Sequence, residues 1–344
     1  MFQGYEELDA TTFVQWGLSY VKSDDCFSAL DYRTGMTDYK NFSAYLKKAA
    51  TKMSRPEPYF LICGCKLEVG APDPRHGWEQ CPRDAATYGA DAWRIAQDDY
   101  TWANVLTNAN INAGLSEYET PGRYNDPDML INTPLIPAGW PSIDACPNLD
   151  GWKGVRKRGF PAYSIKPVQA RLQMSLWCMM ASPLILSLNI RALSAYDLAT
   201  YSNKDAIEIN QDVLVLQGIR LQGGNLTTEP VRDVALGQES QTDSPSPPFG
   251  NFSNTNVWGK RLSNGSLALL FLNVGPTVSP SLTCDQDCLG RLFKATPPKA
   301  GSKYSVWDVW GQKQLPDIVA PLQLTSPPLA TDGVHMIRLR PVPS

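Results

Sequence analysis

Three short segments concentrate the residue types that could do chemistry: YVKSDDC (20–26), WRIAQDD (93–99) and RYNDPDML (123–130). Each places carboxylates at or beside the end of a short apolar run. Hydrolysis of a glycosidic bond needs two carboxyl groups across the anomeric carbon, one as nucleophile or base and one protonated as acid. The composition narrows the field in the same direction. His76 and His335 are the only two histidines, so a histidine-centred triad or a His-rich metal site has almost no raw material. No CxxC pair has zinc-finger spacing. A formal net charge of −3, with Lys and Arg scattered, leaves no basic field for a nucleic-acid backbone.

Taken singly, each segment has an ordinary reading. An Asp at a strand end often caps the next helix. Lys22 and Asp24 fall on one face of a strand, where the ammonium would keep Asp24 ionised, and a solvated ion pair gives the same pattern. Arg94 with Asp98 serves equally as a structural salt bridge, Trp93 as plain core, and NDPDM as a turn.

The elements that must position these residues follow from periodicity. A chain of 344 residues, 43% hydrophobic, holds one large core or two moderate ones, and two domains is the expectation. Over residues 1–215 short apolar runs alternate with helix-like stretches, the pattern of β-α units around a parallel sheet. Strands are expected at 18–24, 58–64, 92–98, 127–132 and 183–189. Helices are signalled by TDYKNFSAYLKKAATKM, YTWANVLTNANINA and VQARLQMSLWCMMA, with apolar residues three and four apart. The Pro at 183 stops the last helix and starts a strand. In β/α barrels the reactive side chains sit at the carboxyl ends of strands, where these carboxylates fall. Over 216–344 helical periodicity fades, and strands such as GSLALLFLNV and YSVWDVWG predict an antiparallel β-sandwich. The segment 242–256 is a loop by composition.

Eight cysteines and Asn-x-Ser/Thr triplets at Asn41, Asn225, Asn251 and Asn264 fit an oxidising, secretory compartment. Cys63 or Cys65 is expected to pair with Cys81, and Cys284 with Cys288, while Cys178 in its apolar helix reads as a buried thiol. The N-terminus has neither the basic nor the apolar region of a signal peptide, and no run approaches the roughly 20 apolar residues of a membrane span.

In order, the motifs resemble the α-galactosidase and α-N-acetylgalactosaminidase family, glycoside hydrolase family 27. YVKSDDC is similar to that family's Tyr-Leu-Lys-Tyr-Asp-Asn-Cys, with Asp24 in the nucleophile's place. A Trp-Arg segment with the acid/base four residues after the Arg puts that role on Asp98, and YNDPDML keeps a further signature from Asn125 on. SLWCMMASPLILSLNIRALS with NKDAIEINQD resembles the last barrel strand and its exit, and GYEELDATTFVQWGLSYVK the helix before the nucleophile strand. The resemblance spans about residues 4–220 and implies about five of the eight βα units of a (β/α)8 barrel, then the sandwich. It implies a retaining double displacement, with carboxyls about 5–5.5 Å apart, and assigns sugar contacts to Lys22, Arg94, Asp128 and Met129. It implies no metal and no organic cofactor.

The sequence also departs from the family. Where relatives carry Cys-Glu-Trp or Cys-Ser-Trp, with the residue after Cys reading the C2 substituent, ICGCKLEVG has Gly64, so galactose and N-acetylgalactosamine are not distinguished. The stretch 66–88 reads as a substituted specificity loop or an ordinary surface loop. Ser23 replaces the aromatic before the nucleophile, and Val213 the Pro after Gln-Asp. The family's first three β-α units do not precede Phe2, so a fragment or incomplete gene model is expected in preference to a barrel completed by a partner chain, with Cys26 unpaired. The resulting expectation is a retaining glycosidase acting on terminal α-linked galactose or a related sugar. Its substrates would be oligosaccharides or glycoconjugates, with no nucleic-acid or membrane partner and with a homodimer admitted. The full-length protein would be secreted or lysosomal/vacuolar. The alternative is a non-catalytic carbohydrate-binding or relic protein that keeps the carboxylates.

Overall fold

Glu6, Glu7 and Asp9 fill the first turn of helix α1 (Glu6–Trp16), where negative charge meets the positive end of the helix dipole. Gly17 closes it at φ 78°, in the left-handed region, its N–H bonding back to Phe13 and Val14. The chain then enters β1 (Tyr20–Ser23), followed by α2 (Tyr32–Met53), β2 (Tyr59–Ile62), α3 (Gly77–Ala85), β3 (Ala92–Arg94), α4 (Trp102–Asn112) and β4 (Tyr124–Asp126). This computed structural model describes residues 4–24, 32–63, 77–96, 98–99, 101–131, 165–229, 251–293 and 297–343.

Strands β1 to β4 form one parallel sheet in chain order, joined by helical crossovers. One face packs on the helices. Val21, Phe60, Ile62 and Trp93 share a core with Ala10 and Val14 of α1 and with Tyr39, Phe42 and Leu46 of α2. The other carries Leu61, Cys63 and Ala92, flanked by Tyr59 and Tyr124. Thr101 caps α4 through a reciprocal bond pair with Asn104, an arrangement worth about 1 kcal/mol.

A second parallel pair joins β5 (Leu130–Ile131) to β6 (Leu186–Ser187), with α5 (Pro167–Met179) between them in sequence. Pro167 sits where a helix start tolerates a missing N–H. Helices α6 (Ala195–Tyr201) and α7 (Lys204–Asn210) start at Ser194 and Asn203 caps.

The C-terminal part is built on a six-stranded antiparallel sheet. Its strands are β7 (Ile219–Gln222), β10 (Thr255–Arg261), β11 (Leu267–Asn273), β13 (Lys303–Asp308), β14 (Lys313–Val319) and β16 (Gly333–Pro341). The short strands β8 (Asn225–Leu226), β9 (Phe252–Ser253), β12 (Thr283–Cys284) and β15 (Leu324–Thr325) and helix α8 (Gln286–Phe293) complete it. Strand β11 is buried at every position. Leu267, Leu269 and Phe271 face a core with Cys284, Leu289 and Leu324, while Ala268, Leu270 and Leu272 face one with Trp177 and Met174 of α5. Burial on both faces explains why LALLFLN lacks the polar alternation of a half-exposed strand.

Three expectations change. The single strand expected at 127–132 is instead β4 followed by β5, with Pro127–Met129 between them. Residues 77–88, read as loop, form α3 and a 3-10 turn even though Pro82 lies inside the helix. Cys63 is a free buried thiol: it continues the face of β2 that carries Leu61, opposite the helix-packed face whose core holds Cys81. Cys81 is disulfide-bonded, and Cys65 lies outside the described residues. Cys284 and Cys288 form a disulfide, Cα–Cα 5.2 Å, and Cys178 is a free buried thiol.

Candidate active site

The site is assembled by register. Ser23 lies opposite Ile62, Ile62 opposite Trp93, and Arg94 opposite Asp126. Continuing those pairs by one residue puts Asp24, Cys63, Arg94 and Asp126 in a single row across the carboxyl ends of four strands. The amide of Cys63 donates to the Ser23 carbonyl at 2.9 Å, which fixes the row at β1 and β2. Lys22 and Asp24 are exposed, whereas the alternating Val21 and Ser23 are buried, so both charged residues fall on the open face of the sheet. That is the end of a parallel β/α layer where ligands are handled.

Arg94 is the hub. Its side chain is 4% exposed and reaches three carboxylates. Nη1 donates to Asp98 at 2.9 Å, Nη2 to Asp128 at 2.6 Å, and Nε lies 3.5 Å from Asp126. Burial works against the guanidinium charge, but Asp128, Asp126 and Asp98 outweigh it and the group is held more firmly protonated than usual. The planar fork is what lets one cation serve two carboxylates at once.

Asp128 is held on every side. One carboxylate oxygen takes the Arg94 bond and the other accepts from the amide of Asp99 at 2.6 Å. Its own amide donates to Asp126 at 3.0 Å, and its carbonyl accepts from the Trp177 indole at 2.7 Å. Its φ of 84° is in the left-handed region that a non-glycine residue occupies only when its surroundings compel it. Burial raises Asp126 above the usual carboxylate range, with Arg94 opposing. Burial and the Asp128 charge push Asp99 well above that range. Burial pushes the Cys63 thiol up to about 12, which leaves it a poor nucleophile.

Of the residues singled out by sequence, Arg94, Asp98 and Asp128 are directly bonded. Asp98 is half-exposed, open to a ligand. Met129 enters through its carbonyl, which accepts from Gln173 at 3.1 Å. Asp24 and Lys22 join by row and face. The sequence reading missed Asp99, Asn108 and Gln173. The one available signal was Gln173 itself, a polar residue amid the buried positions of α5. A cavity of about 350 Å³, lined by Tyr59, Tyr124, Ser182 and Asn210, lies at the opposite end of the sheet, since both tyrosines begin their strands. That end of a β/α layer serves stability rather than chemistry.

A glycan at Asn225 does not fit the fold. This residue is 3% exposed within β8, and its Oδ1 accepts from Arg220 at 3.3 Å. Asn41, Asn251 and Asn264 are exposed.

Carboxylates around a buried arginine at the carboxyl ends of a parallel β/α layer, joined to an antiparallel domain, define a partial (β/α)8 barrel followed by a β-sandwich. Residues 2–135 and 157–212 match the family described as Alpha galactosidase A, and residues 253–339 its C-terminal beta sandwich domain. The chain belongs to the alpha-galactosidase A family. It is 28% identical over 318 residues to a probable alpha-galactosidase A of Aspergillus flavus, covering 90% of this chain and 47% of that protein. It is 27% identical over 223 residues to alpha-galactosidase 2 of Arabidopsis thaliana, covering 64% of this chain and 44% of that one. The chain thus spans about half the length of the curated relatives it matches. Among solved structures, a putative alpha-galactosidase/melibiase of Bacteroides fragilis superposes with TM-score 0.65 at 25% identity, over 98% of this chain and 57% of that one. A β-L-arabinopyranosidase of Geobacillus stearothermophilus shares the fold at TM-score 0.64 and 18% identity, over 99% and 62%.

Proposed function

We propose that this chain carries the catalytic residues of a retaining glycosidase that removes terminal α-linked galactose or a close relative such as N-acetylgalactosamine or β-L-arabinopyranose. Asp24 attacks the anomeric carbon as the glycosidic C–O bond breaks, and Asp98 gives its proton to the departing oxygen. Asp98 then takes a proton from water, which attacks the same carbon and releases the sugar from Asp24. Lys22, Arg94, Asp128 and Met129 hold the sugar's hydroxyls. No metal or organic cofactor enters these steps. Residues 1–215 form the catalytic unit and 216–344 the sandwich, and the protein is secreted or lysosomal/vacuolar.

The observation that carries this reading is the fork of Arg94, itself in the row that ends at Asp24, which ties half-exposed Asp98 to buried Asp128. A second reading, a carbohydrate-binding protein without turnover, draws on β1 being the edge of its sheet among the described residues. Hydrolysis of a panel of aryl α-glycosides by the chain decides between them. Turnover lost in Asp24→Asn supports the hydrolase; a folded protein inert on every sugar supports the binding protein.

A further inference from the structure

Asp99 has no ordinary reason to be where it is. Its side chain lies in the interior, 5% exposed, with neutral partners: Oδ1 accepts from Asn108 Nδ2 at 2.8 Å and Oδ2 from Gln173 Nε2 at 3.2 Å. Among the described residues only amides hydrogen-bond this carboxylate, and the Arg94 charge offsets part of the cost of burying it. The common task of an Asp just ahead of a helix is capping, and here Thr101 caps α4. What Asp99 does instead is anchor a closed ring. Its amide donates to Asp128 at 2.6 Å, Asp128 accepts from Arg94 at 2.6 Å, and Arg94 donates to Asp98 at 2.9 Å. The peptide bond from Asp98 to Asp99 closes the circuit. Asp98 is therefore gripped at its carboxylate by Arg94 and at its backbone by the residue that follows. The two anchors come from α4 and α5, helices on either side of the sequence that carries Asp128.

We propose that Asp99 is a positioning residue for Asp98, pinning its backbone to Asn108 and Gln173 so that the half-exposed carboxyl meets the glycosidic oxygen in one fixed orientation. The inference rests on the hydrolase reading and adds a role to a residue outside the sugar pocket. A misplacement of about 1 Å can cost on the order of 100-fold in rate, so loosening this support weakens acid/base assistance without touching the nucleophile.

The test uses the full chain and two substrates that differ only in leaving group, phenyl and 2,4-dinitrophenyl α-galactoside. The phenyl compound needs a proton for departure and the dinitrophenyl compound does not. Asp99→Asn keeps the shape and sets an amide against donors. It is expected to lower kcat/KM on the phenyl substrate by about 10- to 100-fold, a fraction of the usual general acid–base contribution, while the dinitrophenyl substrate changes by less than about 3-fold. Added azide, a nucleophile needing no base, is expected to speed turnover of the dinitrophenyl substrate by the variant and not by the wild type. Equal loss on both substrates, with no response to azide, overturns the proposal and leaves the hydrolase reading standing. A folded wild type inert on both substrates overturns the two together. Should Asp99→Asn fail to fold by circular dichroism, Asn108→Ala removes a single anchor and is expected to give the same leaving-group split in smaller degree; uniform loss there also overturns the proposal.

Discussion

The ammonium of Lys260, on β10 of the C-terminal sheet, donates at 3.1 Å to the carbonyl oxygen of Cys178, in the last turn of α5. Lys260 is 1% exposed, and the negative end of the helix dipole faces it. Burial pulls its pKa down to about 8, with Glu119 and Asp212 opposing. Burial raises Glu119 well above the usual range, and its Oε2 has no hydrogen-bond partner among the described residues. The contact between the two domains therefore holds charge at a cost.

Lys260→Met is expected to stabilise the protein at pH 7 by up to about 3 kcal/mol, the free-energy equivalent of the lowered pKa. Below about pH 8 both folded and unfolded chains are protonated, and the full cost of burying the ammonium is present. Between about 8 and 10.5 the folded chain sheds its proton first, so wild-type stability rises with pH and the advantage of the variant fades. Urea titrations at pH 7 and at pH 10.5 measure this; an equal gain at both values contradicts it.

Arg94→Met should act in the opposite sense, costing about 3–5 kcal/mol at pH 7 because Asp126 and Asp128 stay buried without their cation. The folded value of Asp126, already raised, climbs further without Arg94. Below the unfolded value both states hold the proton and that part of the penalty is absent; as pH rises the unfolded chain ionises freely and the folded variant does not. The loss relative to wild type thus grows with pH, as melting at pH 4 and at pH 7 would reveal.

Asp24→Asn should reduce turnover of an aryl α-galactoside by on the order of 10³-fold or more, equivalent to about 4 kcal/mol of barrier. Retention of wild-type rates in a folded variant contradicts the nucleophile assignment.

Peptide mapping of protein expressed through a secretory route should find glycans at Asn41, Asn251 and Asn264 and none at Asn225. The difference follows from the burial of Asn225 and the exposure of the other three. Occupancy at Asn225 contradicts the packing of β8.

How much was legible depended on how local each cause is. Tyr20–Ser23, Tyr59–Ile62 and Ala92–Arg94 could be read because apolar alternation and a polar end are properties of consecutive residues. Strand β4 was hidden because Tyr-Asn-Asp before Pro has turn chemistry. What overrides it is distant: Asn125, fully buried, accepts from Trp93 at 2.8 Å and donates to Leu115 and Gln217. The triad Arg94, Asp98 and Asp128 was visible as motifs. The support under it was not, because Gln173 meets Asp99 across 74 positions and no local pattern encodes that contact. Cys63 shows the same limit, since spacing allowed a bridge to Cys81 and strand direction forbade it.

Strand β11 has a further consequence through its two buried faces. One face completes the core of the C-terminal part, and the other completes the core around α5, so neither unit owns a finished interior. Heat should melt both together in one cooperative transition, with a calorimetric enthalpy equal to the van't Hoff value. A change in Leu270 would then lower the melting point of the carboxylate ring as surely as one in Trp177, and the working lifetime of the site would be set in part by a sheet that supplies none of the ring's residues.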